Sequence, residues 1–332
     1  MNSTVTSGHL ESRRSLPLTP ATAFLRRGGS APYLHHQNVP FPDARGARNL
    51  YVASTLQPYM VGDVKRETQV DQLIRLPISH NLAARSLALV SKLEVGLPRL
   101  MMLWVALVSF AVGLRLAFAA TPIVTIGDVV SNVLPYLLVI VAPVVTIFLG
   151  LRSFRPGAFV AQPTTRLARF GRWQRLDAVT ARSLPLFGAS GFMASLLVGI
   201  LINVPFRTFE FMSGLPALGG MAPDWFRMLF TMMFVDLVFL SCLYGFAFVL
   251  ALRHVPIFPR FLAGVWAIDL LMQICIARVM SHVANLPPDV ARSLGDMLEG
   301  NVKKVLISIS IWLPYLLLSR RANLTYRWRV PA

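Results

Sequence analysis

Apolar residues gather into six long runs, at 100–120, 133–151, 184–204, 228–252, 261–279 and 302–318, with short and mostly basic connections between them. At ~1.5 Å per residue each run has the length that spans ~30 Å of hydrocarbon. The pattern predicts an all-α, polytopic integral membrane bundle of six transmembrane helices. Pro143 inside the second run removes a backbone donor and predicts a kink. In the third run Gly191, Ser195 and Gly199 recur every fourth residue, so they are expected to share a face for close helix packing. Two shorter amphipathic stretches flank the runs. Leu82, Leu89, Val90 and Leu93 predict a helix over 79–94, either interfacial or packed on the bundle as a connector. Val290, Leu294, Met297 and Leu298 predict a separate surface helix over 289–299, after the Pro-rich start Asn285-Leu-Pro-Pro-Asp289.

Before the first run the pattern fades. Residues 1–58 are rich in Ser, Pro, Gly and Arg without periodicity, and the whole of 1–97 is expected to be a largely disordered tail. Arg13-Arg14 is followed by no apolar run of export-signal length. Residues 98–151 then form a two-helix membrane segment and 182–328 a four-helix membrane domain.

Charge changes the picture in one respect. Of 332 residues only 14% are charged, yet the net charge is +17. The basic residues lie between apolar runs instead of among exposed aromatics, which points away from nucleic acid. Of 32 Lys and Arg, 25 fall in the segment through Arg99, the 152–182 loop, the 253–260 turn and the C-terminal tail. That asymmetry predicts a multi-pass protein with both termini in the cytoplasm. The expected partners are the lipid bilayer, anionic lipids at its cytoplasmic face, and a protein partner or a second copy of the chain. Trp312, Tyr315, Arg320 and Arg321 are the expected interfacial anchors, with packing between helices the other role open to Trp312 and Tyr315.

The candidate chemistry is sparse. Cys242 and Cys275 sit within apolar runs as small hydrophobes, and no cofactor or metal motif is present. Gly188-Ala-Ser190-Gly191 has the form of an intramembrane serine protease motif. No histidine lies within an apolar run to accept the serine proton, so Ser190 is read as a packing residue and no catalytic residue is assigned. Asp236 and Asp269 stand out, one near the middle of each consecutive run, at similar depth. Charged groups there mark functional sites or paired ones. Arg278 is on the far side of its helix and no other cation is expected nearby. The two carboxylates, with Gln273 one turn beyond Asp269, are therefore expected to share a proton, either as a relay or as hydrogen-bonding glue between helices.

The stretch 182–328 also resembles the bacterial membrane proteins of the domain of unknown function 2569 family. The likeness rests on Leu186-Phe-Gly-Ala-Ser-Gly191, Phe258-Pro-Arg260, Leu286-Pro-Pro288 and Ile311-Trp-Leu-Pro-Tyr315. The last is followed by Ser319-Arg320-Arg321 and Thr325-Tyr326, with Arg320, Ala322 and Tyr326 where the family has Lys, Val and Phe. The resemblance implies a four-helix membrane domain and a place in a bacterial inner membrane, and brings no catalytic residues. Two functions are expected from the whole: a non-enzymatic envelope, assembly or interaction component, or a small proton- or cation-coupled transporter using Asp236 and Asp269.

Overall fold

The computed structural model describes residues 77–118, 126–158, 160–164, 171–217 and 222–332. Most of the tail expected to be disordered lies outside them. Six helices are long and apolar enough to cross a membrane. They are α1 (Pro77–Ala117), α2 (Ile126–Ser153), α4 (Phe192–Gly214), α5 (Asp224–Leu252), α6 (Phe258–Met280) and α7 (Pro288–Leu318). A short helix, α3 (Ala178–Ser183), lies before α4, and α8 (Arg320–Arg327) follows α7. Strands β1 (Trp173–Arg175) and β2 (Arg329–Pro331) pair antiparallel, Gln174 opposite Val330. The protein is a multi-pass helical bundle.

Three boundaries differ from expectation. The amphipathic stretch 79–94 is not a separate element but the first half of α1, which runs 41 residues through Pro98. The surface helix expected at 289–299 is likewise continuous with the sixth span, making α7 31 residues long. At ~1.5 Å per residue both are longer than a ~30 Å core is thick. A change of amphipathic character along the sequence reports a change of surroundings, and the backbone hydrogen-bond ladder carries through it. The third span is displaced instead, from 184–204 to Phe192–Gly214. Gly188 and Gly191 take positive φ (108° and 64°), so the chain turns there before the helix starts. At the far end, Asn203, Pro205, Arg207 and Glu210 interrupt the apolar run without ending the helix.

Helix α5 is the axis of the bundle. Its most apolar window is 67% buried, against 39% or less in the other five spans. It packs on α2, α4 and α6, while α7 packs on α6. At the α2 contact two glycines admit a neighbouring side chain closely. A Cβ built on Gly150 would meet the Val249 side chain at 3.2 Å, and one on Gly245 would meet Ile147 at 3.4 Å. The close approach expected of Gly191, Ser195 and Gly199 therefore occurs elsewhere. Gly191 precedes α4 as its N-cap, Ser195 and Gly199 are exposed, and nothing lies within 4 Å of a Cβ at Gly199. Small residues at four-residue spacing permit close packing but do not require it.

Two apolar clusters fill the bundle. One, at the basic end, holds Met193, Leu197, Leu240, Phe248, Phe258, Leu262 and Tyr326. The other holds Tyr136, Phe211, Phe230, Leu237, Ile276 and Leu298. The buried polar residues Asp236, Asp269, Gln273 and Asn301 belong to neither cluster and occur at intermediate positions along the same helices.

Candidate functional site

Four helices each contribute to one polar layer. On α5, Asp236 and Tyr244 are two turns apart and share a face. On α6, Asp269 and Gln273 are one turn apart, and on α7 so are Asn301 and Lys304. From α4 comes Arg207, which joins the rest. Its Nη1 donates to Asp236 Oδ2 at 2.9 Å, and its Nη2 to Asp269 Oδ1 and Oδ2 at 2.5 and 2.6 Å. Tyr244 donates its hydroxyl to Asp269 Oδ2 at 2.7 Å. Gln273 Nε2 lies 3.2 Å from Asp236 Oδ1 and 3.4 Å from Asp269 Oδ1. Beyond it Asn301 Nδ2 donates to Gln273 Oε1 at 3.3 Å, and Lys304 Nζ lies 3.4 Å from Asn301 Oδ1. Lys304 also pairs with Glu210, which returns the network to α4.

The structure thus brings Asp236, Asp269 and Gln273 together, and it corrects the expectation of a proton-sharing pair without a cation. The two carboxylates share the Arg207 guanidinium, with side-chain exposures of 5% and 0% for Asp236 and Asp269. A charge buried at that level persists only when paired and hydrogen-bonded. With both carboxylates ionised the three groups carry one net negative charge. Arg207 was missed because the apolar run ends at Val204, so Arg207 read as lying beyond the span. The signal was present all the same: Asn203, Arg207 and Glu210 fall at i, i+4 and i+7, one polar stripe on an otherwise apolar helix.

That stripe faces a cleft. A space of about 240 Å³ is lined by Gly199, Asn203, Arg207 and Glu210 from α4, Asn301, Lys304 and Ser308 from α7, and Tyr244, Trp266 and Asp269 from the helices behind. Helices α4 and α7 form no extensive packed interface of their own. They touch instead through side chains. Near the basic end Phe192 stacks on Trp312 at 4.6 Å and meets Tyr315 at 5.0 Å. Farther along, Lys304 pairs with Glu210 and sits 4.8 Å from the Phe206 ring centre. A second, smaller cavity of about 20 Å³ is lined by Arg207, Asp236, Met233, Phe211, Met297 and Asn301. Arg207 and Asn301 therefore border both spaces, with Asp269 on the cleft and Asp236 on the small cavity.

The remaining expected residues have other surroundings. Of the two roles open to Trp312 and Tyr315, the structure has them packed between helices against Phe192. Arg320 is exposed, whereas Arg321 is half-buried and donates to Ser190 Oγ. The Gly188–Gly191 loop is pinned at three amides. Gly188 N–H donates to Thr325 Oγ1 (3.1 Å), Ala189 N–H to His254 Nε2 (3.2 Å) and Gly191 N–H to Ser86 Oγ (2.7 Å). His254 thus lies beside the loop that carries Ser190, but its Nε2 serves the Ala189 amide while Arg321 holds the serine. No family model, curated protein or solved structure matches this chain, so the family resemblance carries no residue role into the site.

Proposed function

We propose that the protein is a small proton- or cation-coupled carrier whose Arg207–Asp236–Asp269 centre is the coupling site. The observation that carries this reading is the guanidinium between two buried carboxylates, bordering an open cleft on one side and a small cavity on the other. A centre with one uncompensated negative charge gains from taking up one proton or cation, and a solute that engages Arg207 or Asp269 from the cleft alters that balance. The cleft volume lies below the ~300–1,000 Å³ typical of sites for drug-sized ligands, so the solute is small. Its lining offers charges of both signs and two carboxamides, which suits a small polar or zwitterionic solute. In this reading the basic end faces the cytoplasm of a bacterial inner membrane. The aromatic contact of Phe192 with Trp312 and Tyr315 then closes the inner end of the seam.

The test is solute-dependent proton movement in vesicles containing the purified protein and an entrapped pH dye, scanned with amino acids, organic acids and cations. At least one solute should move protons in the wild type, and Asp236→Asn or Asp269→Asn should abolish that flux in protein that still folds. Wild-type vesicles silent to the whole panel, together with an Asp236→Asn/Asp269→Asn variant of undiminished stability, would leave the centre as a structural layer. The protein would then be the non-enzymatic membrane component.

A further inference from the structure

A second concentration of charge lies at the basic end, away from the polar layer. The rings of Phe258 and Tyr326, both fully buried, stack with centroids 4.9 Å apart. That contact sets the first turn of α6 against the end of α8. Arg260 follows Phe258 by two residues, and Arg327 follows Tyr326 directly. Two residues further, Arg329 begins β2. The buried Asn323 carboxamide oxygen accepts from both Arg327 Nη1 (3.3 Å) and Arg329 Nε (2.8 Å), which fixes two guanidiniums side by side. Arg329 also rests 5.0 Å from the centre of the Trp173 ring.

We propose that Arg260, Arg327 and Arg329 form a binding site for a phosphate-bearing anion. None of the ion pairs among the described residues involves Arg260 or Arg327. Arg260 reaches only the Pro256 carbonyl, at 3.4 Å. Its Nε, and the Nε and Nη2 of Arg327, are buried without an acceptor. Burial, then the nearby charges of Arg329 and Arg260, push Arg327 down to about 10, so its guanidinium is held against like charges. The first turn of α6 adds to the positive field, since it carries no acidic residue and its N-cap, Ile257, offers no side-chain acceptor. Buried donors without partners and like charges at close range both cost stability. A phosphate group answers both with several acceptor oxygens and its negative charge, in the forked geometry that guanidinium groups match. Arg260 stands at the start of a span, the level of lipid headgroups, so the phosphate belongs either to a phospholipid or to a soluble phosphate compound.

The experiment uses the full chain in two arms. In detergent, inorganic phosphate or pyrophosphate is titrated against chloride at matched ionic strength while thermal unfolding is followed. In phosphatidylcholine nanodiscs with and without phosphatidylglycerol, retained lipid is counted by native mass spectrometry. Saturable stabilisation in the first arm alone identifies a soluble phosphate compound. Retention of one phosphatidylglycerol, displaced by pyrophosphate, identifies a headgroup. In either case Arg260→Gln and Arg327→Gln should each weaken binding about tenfold or more. No saturable effect in both arms, or undiminished binding by both variants, overturns the proposal. Should the glutamine variants not fold, Arg327→Lys decides: it keeps the charge but loses the fork, and unchanged affinity in that variant also overturns it.

Discussion

A single guanidinium decides what the polar layer is. Removing it as Arg207→Gln leaves two buried carboxylates without their cation, a change expected to cost ~3–5 kcal/mol. Asp236→Asn leaves Arg207 balanced by Asp269, which also keeps the Tyr244 hydrogen bond, so its cost should stay near ~1 kcal/mol. Thermal unfolding of the two variants in one detergent gives the comparison, and equal losses would show that the charges are not balanced through Arg207. A second titratable group lies outside the spans. Burial, reinforced by Arg182 and Arg253, pushes His254 down to about 4 from its ordinary 6.5. A depressed histidine contributes stability above its unfolded value, and that contribution is lost as pH falls through the folded one. Stability should therefore drop between pH 6.5 and about 4, by up to ~3 kcal/mol, because the unfolded chain takes up a proton that the folded imidazole, held neutral as acceptor for the Ala189 amide, does not. His254→Gln should flatten that part of the pH profile. Asp236 and Asp269 were legible from depth, since a carboxylate in the middle of an apolar run has few reasons to be there, and Gln273 from its place one turn beyond Asp269. Arg207 was not, because the same rule drew the edge of its helix before reaching it.

Among the elements, the contact between α2 and α5 and the open seam between α4 and α7 are opposites. At the first, a Cβ on Gly150 would crowd the Val249 side chain at 3.2 Å. Gly150→Leu should cost ~1–3 kcal/mol through overpacking. At the second, Gly199 has open space. Gly199→Ala should be neutral or stabilising by up to ~1 kcal/mol, since alanine suits a helix better. Gly199→Leu should fold yet narrow the cleft and reduce any solute-dependent flux. Unfolding curves for the three variants check the order, and a Gly150→Leu protein as stable as Gly199→Ala would contradict it. Helix count and approximate placement could be read from apolar periodicity. Which small residues make the contact could not, because that depends on what a neighbouring helix presents, here Val249 and Ile147. The C-terminal tail was legible only in part. The resemblance singles out Thr325 and Tyr326 without a physical reason, and only the loop and turn they meet explain why both are fully buried.

At the scale of the whole molecule, a polar layer lies between two apolar clusters, with basic groups collected at one end. The proposed orientation, basic end inward, rests on that collection of charge. A reporter active only outside the cytoplasm should work when fused at Gly219 and fail when fused at Thr165, and the opposite result would invert the proposed topology. The ends of the bundle are held by different means. Side-chain pairs bridge the seam along its length, whereas the basic end is tied by residues that follow the sixth span. Thr325 caps the Gly188 amide, Tyr326 donates to Ala251 O at 2.9 Å, and β2 pairs with β1.

Those ties have a consequence for biogenesis. Every one of them requires residues 322–331, which the ribosome delivers only after all six spans have been made. During synthesis the helices can enter the bilayer while the Gly188 amide still lacks Thr325 and the Ala251 carbonyl still lacks Tyr326. Closure of the basic end is thus a late step in assembly, separate in time from insertion, and a nascent chain stalled at the end of α7 would be integrated but unlatched.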